Sequence, residues 1–388
     1  MFAMLLPAHV IGGMEIHSLD LAKGLAAKGH DVHVITSKHP GGLKEEDVDG
    51  AKIHYVDSPP TSKRPLGKAA YKKLIELNAQ KKFDVIHSQS FSAYEYVADG
   101  LRESMNVPLV ATLHGTPIGE IKSNLNQGLT TMLLPKLLFQ TFNYFFRFRK
   151  FVPRCDAVIA ISKELNEKIP KEFKIMPEKV KTVYNGVDTD LFSPGESNLK
   201  KEYSGKIVLS ACVLHRQKGV QYLIEAFKQV SESIADARLL IVGTGGFKDA
   251  LVELTEKLGL SDKVIFCGRV QNEKLREYYR LCNVFAIPTV RVEGLPLIEL
   301  EAMSCAKPVV ASKIGGIPTV IIDGENGLLT EPSDVAGLAK AIKKCLVDKE
   351  YARQLGLNAR QRIVDGFSKK HMVEGTLKVY ENVLKEGD

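Results

Sequence analysis

The stretch that decides the fold is "FAMLLPAHVIGGMEIHSLDLAKGLAAKGHDVHVIT", residues 2–36. A short apolar run at 2–6 precedes a segment with helical periodicity from about 14 to 28, which Gly29 closes, and a second apolar run occupies 31–36. Apolar, β-branched runs on both sides of a helix-period segment predict a strand–helix–strand unit. The sequence therefore predicts an α/β fold with a parallel, covered sheet.

The same alternation continues along the first half of the chain. "DVIHSQ" (84–89), "PLVATLHG" (108–115) and "AVIAIS" (157–162) are further apolar runs, each followed by polar or helical sequence. A stretch at 184–205, rich in Gly, Pro, Ser and Asn, then interrupts the pattern. Beyond it the alternation restarts, with predicted strands at 206–214, 237–245, 263–270, 284–289 and 307–312.

This interrupted alternation predicts two α/β domains joined by a loop-rich linker. We place an N-terminal Rossmann-like domain at 1–187, a C-terminal one at 188–366, and a C-terminal helix at 367–388 that packs back on the first domain. In such sheets ligands bind beyond the carboxyl ends of the strands. The expected site is therefore a cleft between two facing domains.

Composition bounds the class of protein. At 388 residues the chain is too long for one ordinary core, and 44% apolar with 26% charged residues is typical of a globular protein. The net charge of +7 arises from 53 basic and 46 acidic side chains, too balanced to indicate nucleic-acid binding. An anionic small molecule suits this charge equally well.

Neither secretion nor membrane insertion is indicated. The apolar residues 1–11 lack a positive leading region and run into Gly12 and Gly13, so we expect a first strand rather than a signal peptide. No stretch reaches the roughly 18 uncharged apolar residues of a spanning helix. The six cysteines lie far apart without C-x-x-C spacing, which predicts neither disulfides nor a zinc site. A cytoplasmic location is expected.

The acidic stretch "EGLPLIELEAM" (293–303) places three carboxylates at the start of an apolar helix. Glu293 precedes the helix, whereas Glu299 and Glu301 lie within it and point some 200° apart. Glu293 and Glu301 could both face a ligand if Glu299 faces away. A carboxylate beyond a parallel sheet suits a ribose diol, and free helix amides suit a phosphate or sugar hydroxyl. The alternative is that these acids only complement the helix dipole.

At this point the chain resembles a known family. "EGLPLIELEAMSCAKPVVASKIGGIP" (293–318) is similar to the C-terminal signature of the retaining nucleotide-sugar glycosyltransferases of family 4, which have the GT-B fold of two facing Rossmann-like domains. The resemblance covers nearly the whole chain. Its other segments are "GGMEIHSLDLAKGLAAKGHDVHVIT" (12–36), "TLHGT" (112–116), "AISKEL" (160–165), "VYNGVDTDLF" (183–192), "KGVQYLIEAF" (218–227), "IVGTGG" (241–246) and "FCGRV" (266–270).

The resemblance implies a role for each carboxylate of the pair. Glu301 would hold the ribose hydroxyls of the donor nucleotide, and Glu293 would hold the transferred sugar near its reacting carbon. Glu293 would be helped by the backbone amides of Gly294, Leu295 and Leu297. His114, at the end of its predicted strand, would lie beside the transferred sugar, while His9 and His17 have no comparable support.

The remaining donor contacts are also implied by the resemblance. Lys218 would neutralise the diphosphate, and the loop from Gly268 to Val270 would meet the base through backbone groups. Gly12 and Gly13 would let the first loop approach the diphosphate or the acceptor closely. No cofactor and no metal ion are expected, because Lys218 and helix N-termini replace a cation.

Two positions depart from the family pattern. Family members often carry an Arg five positions before the Lys, where this chain has Val213, so Arg216 or His215 would supply that charge. The acid that often follows the second Gly-Gly pair is replaced by Thr319. The first departure affects the diphosphate contact, and the second affects one minor contact.

Two short motifs resemble other kinds of site. Asp188 and Asp190 imitate the D-x-D metal ligands of the other large glycosyltransferase fold, yet they belong to "NGVDTDLF", where Asn-Gly and Asp favour a turn. "GTGGF" (243–247) follows a strand but lacks the third Gly of a dinucleotide fingerprint. We therefore expect neither a metal site nor an NAD site.

One basic and aromatic segment remains. From Ile121 to Cys155 there is no acidic residue, and seven aromatics fall in "FQTFNYFFRFRKF" (139–151). Such a segment, within 136–154, suits contact with an anionic membrane surface or a lipid-linked acceptor. The alternative is a buried core helix with snorkelling arginines.

The expected function is transfer of a hexosyl unit from a nucleoside-diphosphate sugar to a hydroxyl acceptor, with retention of configuration. The departing diphosphate would accept the acceptor's proton, so the protein supplies positioning and charge stabilisation. The rivals are an epimerase or hydrolase of sugar nucleotides on the same fold, and a non-catalytic membrane-associated binding protein.

Overall fold

The computed structural model describes residues 1–61, 65–125, 138–139, 141–142 and 144–387. The chain forms two compact units, one comprising Met1–Gly186 together with the C-terminal helix from Lys369, the other comprising Val187–Ser368. Among the described residues, no helix combines the length and apolar character needed to cross a bilayer. All six cysteines are free thiols.

The residues of the first unit that the structure describes form seven strands. They are β1 (Val32–Thr36), β2 (Glu45–Val48), β3 (Ala51–Tyr55), β4 (Ile86–Gln89), β5 (Leu109–Leu113), β6 (Ala157–Ala160) and β7 (Val180–Thr182). They pair in the orders β1-β3-β2 and β4-β5-β6-β7, and Phe2 bridges the two groups through parallel contacts with Ile35 and Ser88. The central parallel strands β5 and β6 are fully buried and mostly apolar, as covered parallel strands are.

Two predictions for this unit were wrong in detail. The strand expected at 2–6 is reduced to the bridge at Phe2, because Leu6 already accepts hydrogen bonds from the backbone of His9 and Val10 and the chain turns there. The sheet is also not wholly parallel. β2 and β3 form an antiparallel hairpin, with Val48 opposite Ala51 and a turn at Asp49 and Gly50, both with positive φ.

Among the described residues, the helices of the first unit pack against its strands and against one another. They are Gly13–Ala27, Gly67–Gln80, Tyr94–Ala98, Leu101–Met105, Pro117–Leu125, Arg149–Phe151, Lys163–Phe173 and Lys369–Gly387. Helix 13–27 buries Leu21, Ala22 and Leu25 and ends before Gly29, as the sequence predicts. The C-terminal helix adds Met372 and Val373 to the same core.

The second unit is one parallel sheet of six strands. They are β8 (Lys206–Ala211), β9 (Ala237–Val242), β10 (Val264–Gly268), β11 (Val284–Ile287), β12 (Val309–Ser312) and β13 (Leu328–Thr330). Their order is β10-β9-β8-β11-β12-β13. Counted from β8, this is the 3-2-1-4-5-6 order of the Rossmann fold, whose strand order reverses between β8 and β11.

The helices of the second unit are Val220–Ser233, Lys248–Lys257, Asn272–Leu281, Leu297–Ser304, Val335–Val347 and Lys349–Gly366. Helix 220–233 shows why they form: Val220, Leu223, Ile224 and Phe227 recur at helical spacing and are all buried against the sheet. Helix 297–304 is buried on every side instead. It therefore forms a central element beside the point where the strand order reverses.

Candidate active site

A pocket lies in the second unit at the carboxyl ends of β8 and β11. It encloses about 270 Å³ of space open to solvent. Its lining comprises Ser210, Ala211, Cys212, Lys218, Ala286, Ile287, Pro288, Thr289, Glu293, Pro296 and Ile298. This is the topological switch point, where ligands of open α/β sheets bind.

An ion pair occupies this pocket. The Nζ atom of Lys218 lies 2.8 Å from Oε1 of Glu293, and the Thr289 hydroxyl donates to the same oxygen at 3.0 Å. Burial opposes ionisation of Glu293, but Lys218 and Arg291 outweigh it and lower the pKa of Glu293 below its usual value. Glu293 is therefore an anion at neutral pH, and the pocket holds one positive and one negative group side by side.

Two glycines fix the backbone that carries this pair. Gly219 has φ +71°, and a Cβ there would lie 1.8 Å from the carbonyl oxygen of Pro288, so the loop after Lys218 can pack directly on the end of β11. Gly315 has φ +61°, and a Cβ would lie 2.3 Å from the carbonyl oxygen of Glu293. Gly316 N–H donates to that oxygen at 2.8 Å. Both close approaches require glycine.

Glu301 has a different environment from Glu293. It is 3% exposed and accepts a hydrogen bond of 2.7 Å from the hydroxyl of Tyr279, which is itself fully buried. Burial and the adjacent Glu301 carboxylate raise the pKa of Tyr279, so Tyr279 remains a donor. Glu301 thus lies on helix 297–304 in the protein interior, and it is not part of the lining of the pocket that holds Glu293.

Glu299 does not face solvent. It is fully buried, and neither carboxylate oxygen has a hydrogen-bond partner among the described residues. Burial, with a smaller contribution from Glu293, raises the pKa of Glu299 well above its usual value. Glu299 is therefore expected to be protonated, a state that the sequence pattern did not indicate.

The other predicted donor residues of the second unit lie outside the lining of this pocket. Arg216 is exposed in the turn Arg216–Lys218, and Val213, where the family often has Arg, is 60% exposed. Gly268 ends the edge strand β10 with φ +69°, followed by half-buried Val270. Gly294 is half-buried, whereas Leu295 and Leu297 are buried at the start of helix 297–304, which begins after Pro296.

His114 lies in the first unit, just beyond β5. Its Nε2 is 2.8 Å from Oε1 of Gln89, and its ring meets that of His17 edge-on at 4.7 Å between centroids. Burial, followed by His17 and His87, lowers the pKa of His114 well below its usual value. His17, for which the sequence offered no support, is buried, and burial lowers its pKa to about 4 against an opposing contribution from Asn185.

The glycine pair at the start of the first helix is closely covered. Gly12 is the N-cap of helix 13–27, with Gly13 the first helical residue, and a Cβ on Gly12 would lie 2.4 Å from Oε2 of Glu15. Burial raises the pKa of Glu15. Gly12 therefore accommodates a side chain of its own helix.

The Asp188 and Asp190 motif adopts a turn. Oδ1 of Asp188 accepts the backbone N–H groups of Asp190 and Leu191 at 3.1 and 2.9 Å. This is the local interaction by which Asp initiates turns. Within the described part of the chain, no group of three His, Cys, Asp or Glu side chains is arranged to hold a metal ion.

Several site residues could not be found from sequence motifs. Each of three such residues contacts a predicted site residue elsewhere in the sequence. Thr289 contacts Glu293 four residues away, Tyr279 contacts Glu301 22 residues away, and Gln89 contacts His114 25 residues away. Gly315 had a usable signal, because it belongs to the Gly-Gly pair of the C-terminal signature. Its contact with Glu293 supplies the physical reason for that pair.

Two Rossmann-like units with mainly parallel sheets, the second carrying a pocket of paired charges at its switch point, match the GT-B fold class. Residues 11–191 match the model of Glycosyltransferase Family 4, and residues 196–362 match that of Glycosyl transferases group 1. The chain belongs to this family. It is a glycosyltransferase that transfers a sugar from a nucleotide-sugar donor.

Known proteins resemble the chain over nearly its whole length. N-acetyl-alpha-D-glucosaminyl L-malate synthase of Bacillus anthracis is 29% identical, over 97% of this chain and 95% of that protein. Sucrose-phosphate synthase from Thermosynechococcus elongatus has a structure with a TM-score of 0.82 at 23% identity, over 99% of each chain. Anabaena HepE, solved with UDP and glucose, has a TM-score of 0.72 at 21% identity, over 98% of each chain. These structures agree with the GT-B fold.

Proposed function

We propose that this chain is a retaining hexosyltransferase that uses a nucleoside-diphosphate hexose and a hydroxyl acceptor. The observation that carries the proposal is the Lys218–Glu293 ion pair at 2.8 Å in the switch-point pocket. The donor has a complement for each partner, because its diphosphate is anionic and the sugar carbon becomes positive as the bond to phosphate breaks. One bound donor can therefore replace the internal ion pair with two favourable contacts.

The reaction follows from these two contacts. Lys218 stabilises the charge that develops on the departing diphosphate, and Glu293 stabilises the sugar as positive charge develops at its reacting carbon. The departing phosphate oxygen takes the proton of the acceptor hydroxyl on the same face, so the new bond forms where the old one broke. No strong base is required of the protein, whose contribution is position and charge.

We further propose that turnover needs no metal ion, because Lys218 can neutralise the diphosphate charge in place of a cation. Turnover in EDTA should equal turnover with added manganese. Loss of activity in EDTA with rescue by manganese would contradict this and make Asp188 and Asp190 candidate metal ligands.

The stereochemistry of the product tests the retaining mechanism. Proton NMR of the first product formed should show the anomeric configuration of the donor, and an inverted product would contradict retention.

The acceptor side is proposed to lie at the cytoplasmic surface of an anionic membrane. Of the segment 136–154, the structure describes 138–139, 141–142 and 144–154, and the rest of the predicted segment lies outside the described residues. Phe142, Phe145 and Phe146 are 50–53% exposed, and Arg149 and Lys150 are exposed beside them. Phe148 and Phe151 on the same segment are buried, which fastens it to the first unit.

The segment has one side that packs into the core and an outer side that is aromatic and basic. It therefore combines features of a core helix with features of a membrane-contacting surface. Anionic headgroups complement the arginines and lysine, and aromatic rings favour the lipid interface. Each basic residue near such a surface contributes about 1 kcal/mol, so replacing Arg147, Arg149 and Lys150 by Gln should weaken binding by about 3 kcal/mol, roughly a hundredfold.

Liposome co-sedimentation with vesicles containing phosphatidylserine measures this effect. The matched control replaces Lys257, Lys340 and Lys349 by Gln. These lysines are exposed in the second unit, and their replacement removes the same amount of positive charge. The control should bind like the unchanged protein. Equal binding of the two triple variants would contradict the proposed membrane surface.

A further inference from the structure

The neighbours of His114 in the first unit indicate which ring nitrogen of its imidazole carries a proton. His114 follows β5, and Gln89 is the last residue of β4, which pairs with β5 so that Gln89 lies opposite Thr112. The Gln89 side chain is 1% exposed. Gln89 is thus a buried amide placed by sheet register beside a partly accessible imidazole.

The backbone of Gln89 is held from two sides. Its N–H donates to the carbonyl oxygen of Phe2 at 2.8 Å, and its carbonyl oxygen accepts the Ser92 hydroxyl at 2.5 Å. The side chain is therefore presented from a fixed point. A buried amide held in this way can select one orientation of a neighbouring ring.

The orientation of the Gln89 amide follows from its second neighbour. Its nitrogen lies 3.8 Å from the sulfur of Met1, and a thioether can accept a weak hydrogen bond but has no proton to donate. The amide nitrogen therefore faces Met1, and Oε1 faces Nε2 of His114 at 2.8 Å. A carbonyl oxygen only accepts hydrogen bonds, so Nε2 must carry a proton.

The other neighbours of the ring favour its neutral form. The titratable groups that face His114 are His17 on helix 13–27 and His87 on β4, and both oppose a positive charge on it. Burial acts in the same direction and is the larger cause of the lowered pKa of His114. A neutral ring with its proton on Nε2 has a free lone pair on Nδ1.

The Nδ1 atom is available to a ligand. It makes no hydrogen bond to any part of the chain that the structure describes, and it is not one of the buried unpaired atoms there. The His17 ring, edge-on at 4.7 Å, restricts rotation of the His114 ring. His114 therefore offers a single oriented acceptor.

We propose that Gln89 is a positioning residue that fixes His114 with its proton on Nε2, so that Nδ1 accepts a hydrogen bond from a hydroxyl of the bound sugar. The sugar as ligand rests on the proposed function above. In this role His114 orients the sugar and neither gives nor takes a proton during transfer. A hydroxyl donates to Nδ1, whereas a group lacking a donor, such as a deoxy sugar at that position, gains nothing from it.

The first test is long-range proton–nitrogen NMR of the ligand-free protein labelled with ¹⁵N-histidine. His114 is assigned by the resonances lost in His114→Asn. The spectrum of the unchanged protein should show the Nε2 proton and an unprotonated Nδ1, with no titration between about pH 6 and 8. A proton found on Nδ1, or an imidazolium in that range, would overturn the proposal.

The second test changes Gln89 with little change in shape. Gln89→Glu places a carboxylate against Nε2 and should raise the titration midpoint of His114 by at least about one pH unit, a tenfold gain in proton affinity. The matched control is Gln354→Glu, an exposed Gln on helix 349–366, which should leave His114 unchanged. Equal His114 titrations in the two variants would overturn the assigned contact.

Kinetics then connect this contact to the sugar. In Gln89→Glu, protonation of Nδ1 removes the acceptor, so the donor KM should rise at least about tenfold as pH falls through the new midpoint, while the unchanged protein shows no such rise. A pH-independent KM in Gln89→Glu would overturn the sugar contact. The NMR tests use no ligand, so failure of every nucleotide sugar to bind would contradict the proposed function and not the form of His114.

Discussion

At the scale of single residues, the three glutamates of residues 293–301 differ in what surrounds each carboxylate. Glu293 pairs with a lysine in a pocket, Glu301 pairs with a buried tyrosine, and Glu299 has no partner among the described residues. Their ionisation follows the same division, since the pKa of Glu293 is lowered and that of Glu299 is raised. Replacing each by Gln therefore tests a different property.

Under the proposed mechanism, Glu293→Gln should lower kcat by at least about tenfold, or about 1.4 kcal/mol, because the carboxylate would stabilise the charge that develops on the transferred sugar. Donor KM should change less. Steady-state kinetics at saturating acceptor measures both. An active Glu293→Gln enzyme with an unchanged kcat would contradict the role of the ion pair.

Under the proposal that Glu301 holds the donor ribose, Glu301→Gln should mainly raise donor KM, because such hydrogen bonds exist in ground and transition states alike. The charge-assisted bonds at stake are worth about 1.5–3 kcal/mol, or roughly tenfold to a hundredfold in KM. Tyr279→Phe removes the 2.7 Å hydrogen bond to Glu301 and should act in the same direction with a smaller size. Tyr351→Phe is the control, and a Glu301→Gln variant whose loss lies in kcat alone would refute the assignment.

Glu299 should make stability depend on pH. Its pKa is higher in the folded than in the unfolded chain, so the folded protein binds the extra proton and stability falls as pH rises from about 4.5 towards the folded pKa. The slope is about 1.4 kcal/mol per pH unit for this one group. Glu299→Gln should lack that slope, whereas kinetics should stay near those of the unchanged enzyme.

Urea unfolding at pH 5 and pH 8 measures the prediction for Glu299. The exposed Glu253→Gln is the control and should keep the pH dependence of the unchanged protein. If Glu299→Gln and Glu253→Gln lose stability equally between the two pH values, the protonated state of Glu299 is wrong.

At the scale of elements, the predicted helix at 14–28 and the strands of the second unit could be read from the sequence because their apolar periodicity agrees with their burial. Elements with short or mixed patterns could not. β7 and β13 have three residues each, and β2 reads "EEDV", so their pairing depends on neighbours that a local pattern does not contain. The strand at 2–6 was overestimated because its pairing ends early: Ala3 N–H donates to Ile35 and Met4 accepts from Ser37 N–H, but the chain turns at Leu6.

The candidate site was predictable to the same extent. The family resemblance indicated Glu293, Lys218 and His114, because these residues belong to contiguous family signatures. It could not indicate that Lys218 and Glu293 pair with one another across 75 residues, or that Glu299 lies inside the protein. Those facts depend on the order of strands in the sheet.

The close contact between the loop at 315–316 and the backbone of Glu293 can be tested by adding one methyl group. Gly315→Ala should destabilise the second unit and impair donor binding, because φ is +61° and the new Cβ would lie 2.3 Å from the carbonyl oxygen of Glu293. Gly324→Ala has a similar φ of +76° but nothing within 4 Å, so it carries only the backbone strain of about 1–2 kcal/mol. Urea unfolding should rank Gly315→Ala as the more damaging, and equal losses would contradict the close approach.

At the scale of the whole molecule, the two units have separate cores, and each carries different parts of the proposed function. The second unit carries the charged pocket at its switch point, and the first carries His114 and the aromatic, basic surface. The chain returns to the first unit at Lys369, where the C-terminal helix joins the core around Val34 and Val110. The proposed function requires the Lys218–Glu293 pocket to receive the diphosphate of a nucleotide sugar.

The most direct measurement is the melting temperature of the protein with a panel of UDP-, GDP- and ADP-sugars. A donor at about one hundred times its dissociation constant should add roughly 2.7 kcal/mol of stability, at about 2–4 °C per kcal/mol for a unit of this size. We expect one nucleotide to give this shift, Lys218→Gln to lose most of it, and the exposed Lys257→Gln to keep it. No shift with any donor, or an undiminished shift in Lys218→Gln, would contradict the account.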